Sequence, residues 1–294
     1  MVKRLDLADF RAVRRVLEPN DFALGDDDES APTDIIDEEA WHSIMTLPDD
    51  VAITTTSFQG SRIAVLHGIT SAWTEVLPHT GIAASAMADV FDAFQASLFN
   101  QLHGFYKEAI SAARTALETM TLATTCELAS DSAAWEQWLG GQELRFTRLC
   151  DRLQALVPLT TFEPKARKFS ASSIFGGEDG RGKNAWARSL YGRLSQYVHA
   201  RGNTSNSELW DSNGPIYSAR GFRLAYNSFL ETHALCLILA KLAYPKTPLL
   251  GSAQLAMRAD SLQLYLEDPH RRVCEFYVSE LFNASPHNPA TPPA

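Results

Sequence analysis

Residues 87–120 read MADVFDAFQASLFNQLHGFYKEAISAARTALETM. Within them Met87, Val90, Phe91, Phe94, Leu98, Leu102, Phe105, Ala109, Ala113, Leu117 and Met120 recur at steps of three and four. A helix advances about 100° per residue, so those steps gather the side chains on one face. The stretch predicts an apolar stripe on one long helix or on two nearly collinear helices. Gly104 is the place for a kink or break, because glycine is a poor helix former.

Working outward, residues 135–156 read as a further helix. Residues 185–200 read as another, with Gly202 as the glycine that closes it. Residues 217–244 are apolar nearly all round, which predicts the central buried helix, stopped by Pro245 and Pro248. A last helix is expected over 253–282 with a break near Pro269, and shorter helices over 5–16 and 63–76. Residues 51–56 are rich in β-branched types and read as a short strand or an extended loop. The sequence carries no internal repeat and no alternation of strands with helices. The expected fold is all-α: a helical bundle over 51–283 with an acidic, partly flexible N-terminal arm and linker over 1–50. Residues 284–294 hold four prolines and read as a disordered tail.

The bulk numbers agree with a large core. Of 294 residues, 45% are hydrophobic. Cys126, Cys150, Cys236 and Cys274 lie far apart and form no Cys-x-x-Cys pair, which suits reduced buried thiols in a cytoplasmic protein. The first eighteen residues carry five basic side chains and no apolar core, unlike a secretory signal. The longest strongly apolar run, 233–244, is interrupted by Lys241 and falls short of the roughly 20 residues a bilayer requires. No membrane partner is expected.

The net charge of −9 is unevenly spread. Residues 1–50 hold 14 Asp and Glu against 5 Lys and Arg, so they account for all of it. Asp26, Asp27, Asp28 and Glu29, closed by Pro32, read as a solvated linker and lack the spaced ligands of a calcium loop. By contrast, residues 165–201 hold Lys165, Arg167, Lys168, Arg181, Lys183, Arg188, Arg193 and Arg201 against Glu178 and Asp179. A basic segment inside an acidic chain suits a polyanionic partner.

Several chemistries fail on their motifs. Residues 177–184 match the phosphate loop Gly-x-x-x-x-Gly-Lys, but Asn184 stands where a hydroxyl would hold magnesium, and no hydrophobic strand precedes the loop. There is no His-Glu-x-x-His, no pair of Glu-x-x-His motifs for a carboxylate di-metal bundle and no Gly-x-Ser-x-Gly, so neither a metal nor another cofactor is expected. Glu118 follows Arg114 by four residues, which reads as a helix-surface ion pair. His233 shares an apolar helix face with Tyr226, Phe229, Leu230 and Leu237, and reads as a hydrogen-bonded core histidine.

One segment carries polar groups at unusual density. Between Ala187 and Arg201 stand Arg188, Ser189, Tyr191, Arg193, Ser195, Gln196, Tyr197 and His199. Helical register puts Tyr191, Ser195 and His199 on one face with Arg188 beside them. Arg193 lies about 120° from His199 on a straight helix. The two meet only if the helix ends before His199 or if two copies of the chain bring them together.

Arg193 and His199, with five residues between them, resemble the Arg-x(4–6)-His motif of the HEPN superfamily. That superfamily comprises helical-bundle proteins that include metal-independent ribonucleases and many toxin and phage-defence components. Leu194 stands where many members carry a polar residue. Residues 194–199, with 209–215 downstream, also resemble segments of bacterial helical proteins to which no activity attaches.

The resemblance implies an endoribonuclease, acting as a toxin or as the RNA-directed part of an antiviral defence system, with RNA as a partner and a homodimer as the working unit. His199 would transfer protons near neutral pH, and Arg193 would bind the phosphate through two parallel hydrogen bonds. Ser195 or Tyr197 would orient the phosphate. Lys165, Arg167, Lys168, Arg181, Lys183, Arg188 and Arg201 would hold the RNA backbone. The competing expectation is a non-catalytic helical interaction subunit. Its acidic arm would bind a partner protein, while Arg193 and His199 would serve stability, with His199 and Arg201 meeting the helix dipole.

Overall fold

The computed structural model describes residues 38–74, 80–142, 144–156, 174–176, 185–198 and 214–244. The expected helices over 5–16 and 253–282, the acidic run 26–32, the phosphate-loop-like residues 177–184, and the tail lie outside them. Contacts divide the chain into Met1–Ile44 and Met45–Ala294. The first contributes a helical turn, Glu38–Trp41, and His42–Thr46 is a π-helical turn.

Among the described residues of the second unit there are seven helices and no strand, so the fold is all-α. They are α1 (Leu47–Trp73), α2 (Ile82–Leu102), α3 (Tyr106–Ala129), α4 (Ser132–Leu139), α5 (Phe146–Gln154), α6 (Trp186–Val198) and α7 (Ala219–Ala243).

The segment read as a strand or extended loop, 51–56, lies inside α1. Pro48 and the acids Asp49 and Asp50 occupy its first turn, where a missing N–H costs nothing and negative charge meets the helix dipole. Thr54 Oγ1 and Ser57 Oγ donate back to the carbonyls of Asp50 and Ile53, each at 2.9 Å. Those bonds satisfy the hydroxyls inside the helix; the weak strand preference of the segment is overridden by the first turn and by burial of Val51 and Thr55 in the bundle. Gln59, at φ −125° and ψ 17°, breaks the helix inside its span.

The apolar stripe folds back on itself. Gly104 sits at φ +84° between α2 and α3, a conformation that side chains with a Cβ rarely adopt. Its second role is spatial: a Cβ there would stand 2.4 Å from the Ile216 carbonyl oxygen. The two helices therefore form an antiparallel hairpin instead of a collinear pair. Ser97 Oγ of α2 donates to the Ala109 carbonyl of α3 at 2.8 Å, and at the far end Glu127 accepts from Ile82 N at 2.7 Å. Met87, Val90, Phe94, Ala109, Ala113, Leu117 and Met120 are all buried.

The hub of the bundle is α3, which packs against α2, α4, α5, α6 and α7. Its Ala109, Ala113, Ala116 and Ala123 let neighbouring backbones approach closely. The nearly all-apolar α7 is buried as its composition predicts, and lies against α3, α2 and α6. At its start, Ser218 caps Gly221 N at 3.1 Å and passes its own N–H to Tyr106 Oη at 3.0 Å. Gly221 faces the Tyr106 ring so closely that a Cβ would stand 2.4 Å from it. The expected helix over 135–156 is two helices, α4 and α5, interrupted at Gly140 and Gly141.

His233 is the core histidine that its helix face predicts. Its Nδ1 accepts from Trp73 Nε1 at 3.0 Å, and Phe94 meets the ring edge-on at 6.0 Å. Burial pushes its pKa down to about 3. Cys126, Cys150 and Cys236 are buried free thiols, and burial raises Cys150 to about 12. No described helix is long and apolar enough to cross a membrane.

Candidate functional site

The polar-rich segment forms α6, a short helix seated between α3, α5 and α7. Trp186, Ala187, Leu190, Leu194 and Tyr197 point into the core, at the three- and four-residue spacing of one face. Gly192, Arg193 and Gln196 form the exposed row. Polar groups of α6 are held on two opposite flanks, by α7 and by α3.

On the α7 flank, Glu231 anchors two groups of α6. Its Oε1 accepts from Trp186 Nε1 at 3.0 Å and its Oε2 from Arg193 NH2 at 2.6 Å. Arg193 NH1 also donates to Ser189 Oγ at 3.2 Å, one turn back. The Arg193 side chain remains 45% exposed while the Glu231 side chain is 16% exposed. A mostly buried carboxylate thus holds a guanidinium that reaches solvent.

On the α3 flank, Arg114 bridges two hydroxyls of α6. Its Nε donates to Ser195 Oγ at 3.1 Å and its NH2 to Tyr191 Oη at 2.5 Å. Glu118, one turn further along α3, pairs with Arg114 at 3.4 Å and accepts from Tyr191 Oη at 3.3 Å. Phe146 stacks on the Tyr191 ring with centroids 4.0 Å apart, and the Arg114 guanidinium lies 4.8 Å from the same ring centroid. Burial raises the Tyr191 pKa, partly opposed by the Arg114 hydrogen bond, so the phenol stays protonated at neutral pH.

Of the expected phosphate groups, Arg193 and Ser195 are both on α6 but face different neighbours. Two residues along a helix is about 200°, which explains the separation. Tyr197 is buried at 9% exposure, with its ring in the core. Arg188, expected among the RNA-contacting cations, is turned inward: its NH2 pairs with Asp151, its Nε donates to the Phe175 carbonyl at 3.0 Å, and its side chain is 10% exposed. Burial disfavours a phosphate contact there, because reaching solvent would break the hydrogen bond to the Phe175 carbonyl. His199, Lys165, Arg167, Lys168, Arg181, Lys183 and Arg201 lie outside the described residues.

Arg114 and Glu231 are the two site residues that spacing did not reveal. The i,i+4 pair of Arg114 with Glu118 is present as expected, but its hydrogen bonds to Tyr191 and Ser195 span 77 and 81 residues of chain. No short-range periodicity encodes such a contact. Among the described residues no group of three or more His, Cys, Asp or Glu side chains is arranged to hold a metal ion. No protein-family model, curated protein or solved structure matches the chain.

Proposed function

We propose that the chain is a HEPN-like helical protein that acts on RNA, as a metal-independent ribonuclease in a bacterial toxin or defence system. The observation that supports this reading is the presentation of Arg193. An arginine on the exposed row of α6 is held by Glu231 at 2.6 Å and still reaches solvent. A guanidinium fixed in this way loses little freedom when it binds a phosphate in bidentate fashion.

In the proposed reaction the RNA 2′-oxygen attacks the adjacent phosphorus. His199 relays the proton that this oxygen loses to the departing 5′-oxygen. Arg193 neutralises charge that builds on the phosphoryl oxygens. The products are a 2′,3′-cyclic phosphate and a 5′-hydroxyl, with no metal required. A homodimer would supply two copies of the motif.

The test is expression of wild-type protein, Arg193→Ala and His199→Ala in a bacterial host, with growth and total RNA followed in each. The reading expects wild-type toxicity with fragmented RNA, relieved by both substitutions in folded protein. Fragmentation that persists in His199→Ala would sink it.

A second reading, a non-catalytic interaction subunit, draws on a different observation. Phe58, Phe99 and Ile216 are 69%, 59% and 49% exposed, apolar side chains open to a partner. That reading expects a partner protein to co-purify and to be lost when residues 1–40 are deleted.

A further inference from the structure

The α3 flank of α6 holds a cation and two hydroxyls that the proposed chemistry does not use. We propose that Arg114, Tyr191 and Ser195 form a second phosphodiester subsite, so that an RNA strand crosses α6 with one phosphate at Arg193 and another at Arg114. This inference rests on the RNA-directed reading above and adds a binding site to it.

The geometry supplies the donors. Arg114 Nε and NH2 donate to Ser195 Oγ at 3.1 Å and to Tyr191 Oη at 2.5 Å, which gathers all three groups within one phosphate's reach. A hydroxyl that accepts from a guanidinium keeps its own proton for donation, so Ser195 is set to donate to an incoming oxygen. Tyr191 turns its proton toward Glu118 Oε1 at 3.3 Å, longer than the usual O–H···O range. The pairing of Arg114 with Glu118, at 3.4 Å, is similarly loose.

Glu118 is therefore the group that a phosphate displaces. Both side chains reach solvent, Arg114 at 19% and Glu118 at 29% exposure, so the exchange needs no opening of the core. In the free protein Glu118 neutralises the cation; in the complex the phosphate does. Arg193 leaves α6 itself while Arg114 reaches its opposite flank from α3, and a helix with its side chains is about 10–12 Å across. That separation suits non-adjacent phosphates of one strand.

The probe is a short fluorescent oligouridylate, titrated into the full chain at several salt concentrations. Proteins compared are wild type, Arg114→Gln, Ser195→Ala, Arg193→Gln and Glu118→Gln, each with its melting temperature recorded. Arg114→Gln is expected to weaken binding about tenfold. It should also reduce the slope of log affinity against log salt by about 0.7, the value for one phosphate contact on a single strand. Glu118→Gln should tighten binding about two- to threefold, because it removes a competing anion. A purely structural clamp between α3 and α6 predicts no such gain.

If Arg193→Gln weakens binding while Arg114→Gln, Ser195→Ala and Glu118→Gln leave affinity and slope at wild-type values, the subsite is refuted and the RNA-directed reading survives. If the wild-type protein does not bind the oligouridylate, both fall. Should Arg114→Gln unfold the chain, Ser195→Ala and Glu118→Gln decide the matter alone.

Discussion

Trp73 Nε1 donates to His233 Nδ1 across 3.0 Å in the centre of the bundle, joining α1 to α7. This bond fixes the tautomer: Nδ1 is the acceptor, so the proton of the neutral ring sits on Nε2. Nε2 is buried and has no partner among the described residues.

Acid is therefore expected to loosen the fold through His233. Its pKa is about 3 in the folded chain against 6.5 for an ordinary histidine, because burial penalises the cation. The unfolded chain binds one more proton than the folded chain between those values. Stability thus rises with pH across this window, is fully present above 6.5, and is lost as pH falls, by up to about 1.4 kcal/mol per unit. Urea denaturation at pH 7, 6 and 5 measures the slope. His233→Leu should flatten it, and an unchanged slope in that variant would mean that other groups carry the acid sensitivity.

Gly104→Ala tests the hairpin. The residue needs φ +84°, and a new Cβ would stand 2.4 Å from the Ile216 carbonyl oxygen. Strain of the left-handed conformation costs about 1–2 kcal/mol and the clash adds to it. A loss of more than about 2 kcal/mol in chemical denaturation is expected, with the turn between α2 and α3 the first region to lose hydrogen-exchange protection. Wild-type stability in Gly104→Ala would show that the approach of Ile216 relaxes without cost.

These two residues show what the sequence made legible. The apolar periodicity of α2 and α3 and the all-round hydrophobicity of α7 gave the all-α class, because burial is periodic along a helix. Gly104 marked the break but not its sense: whether the chain continues or turns back depends on Ile216, 112 positions away. Residues 51–56 misled because β-branching is a weak local preference, overridden by the Pro48-Asp49-Asp50 first turn and by burial of Val51 and Thr55. At the site, α6 was legible as a polar-rich helix. Its division into an α3 flank and an α7 flank was not, since Arg114 and Glu231 enter from distant helices.

Leu190→Ala probes how firmly α6 is seated. The side chain is fully buried in the core cluster, beneath the helix that displays Arg193. Removing it leaves a cavity that neighbours fill only in part, at a cost of about 2–5 kcal/mol. A melting temperature within a degree or two of wild type would indicate that α6 is not packed as described.

Glu231 is the residue whose substitution separates stability from function. Glu231→Gln keeps an oxygen for Trp186 Nε1 and removes only the charge that orients Arg193. The pair is 45% exposed on the arginine side, so its loss should cost no more than about 1 kcal/mol. Glu231→Ala also removes the oxygen that accepts from Trp186 Nε1, a bond made by a buried residue, which adds about 1–3 kcal/mol. If Arg193 neutralises the developing phosphoryl charge in the orientation that Glu231 imposes, Glu231→Gln should slow RNA cleavage about tenfold, with kcat falling more than KM rises. Cleavage at the wild-type rate in folded Glu231→Gln would show that the orientation seen here is not the one used, and would leave the ion pair a tie between α6 and α7.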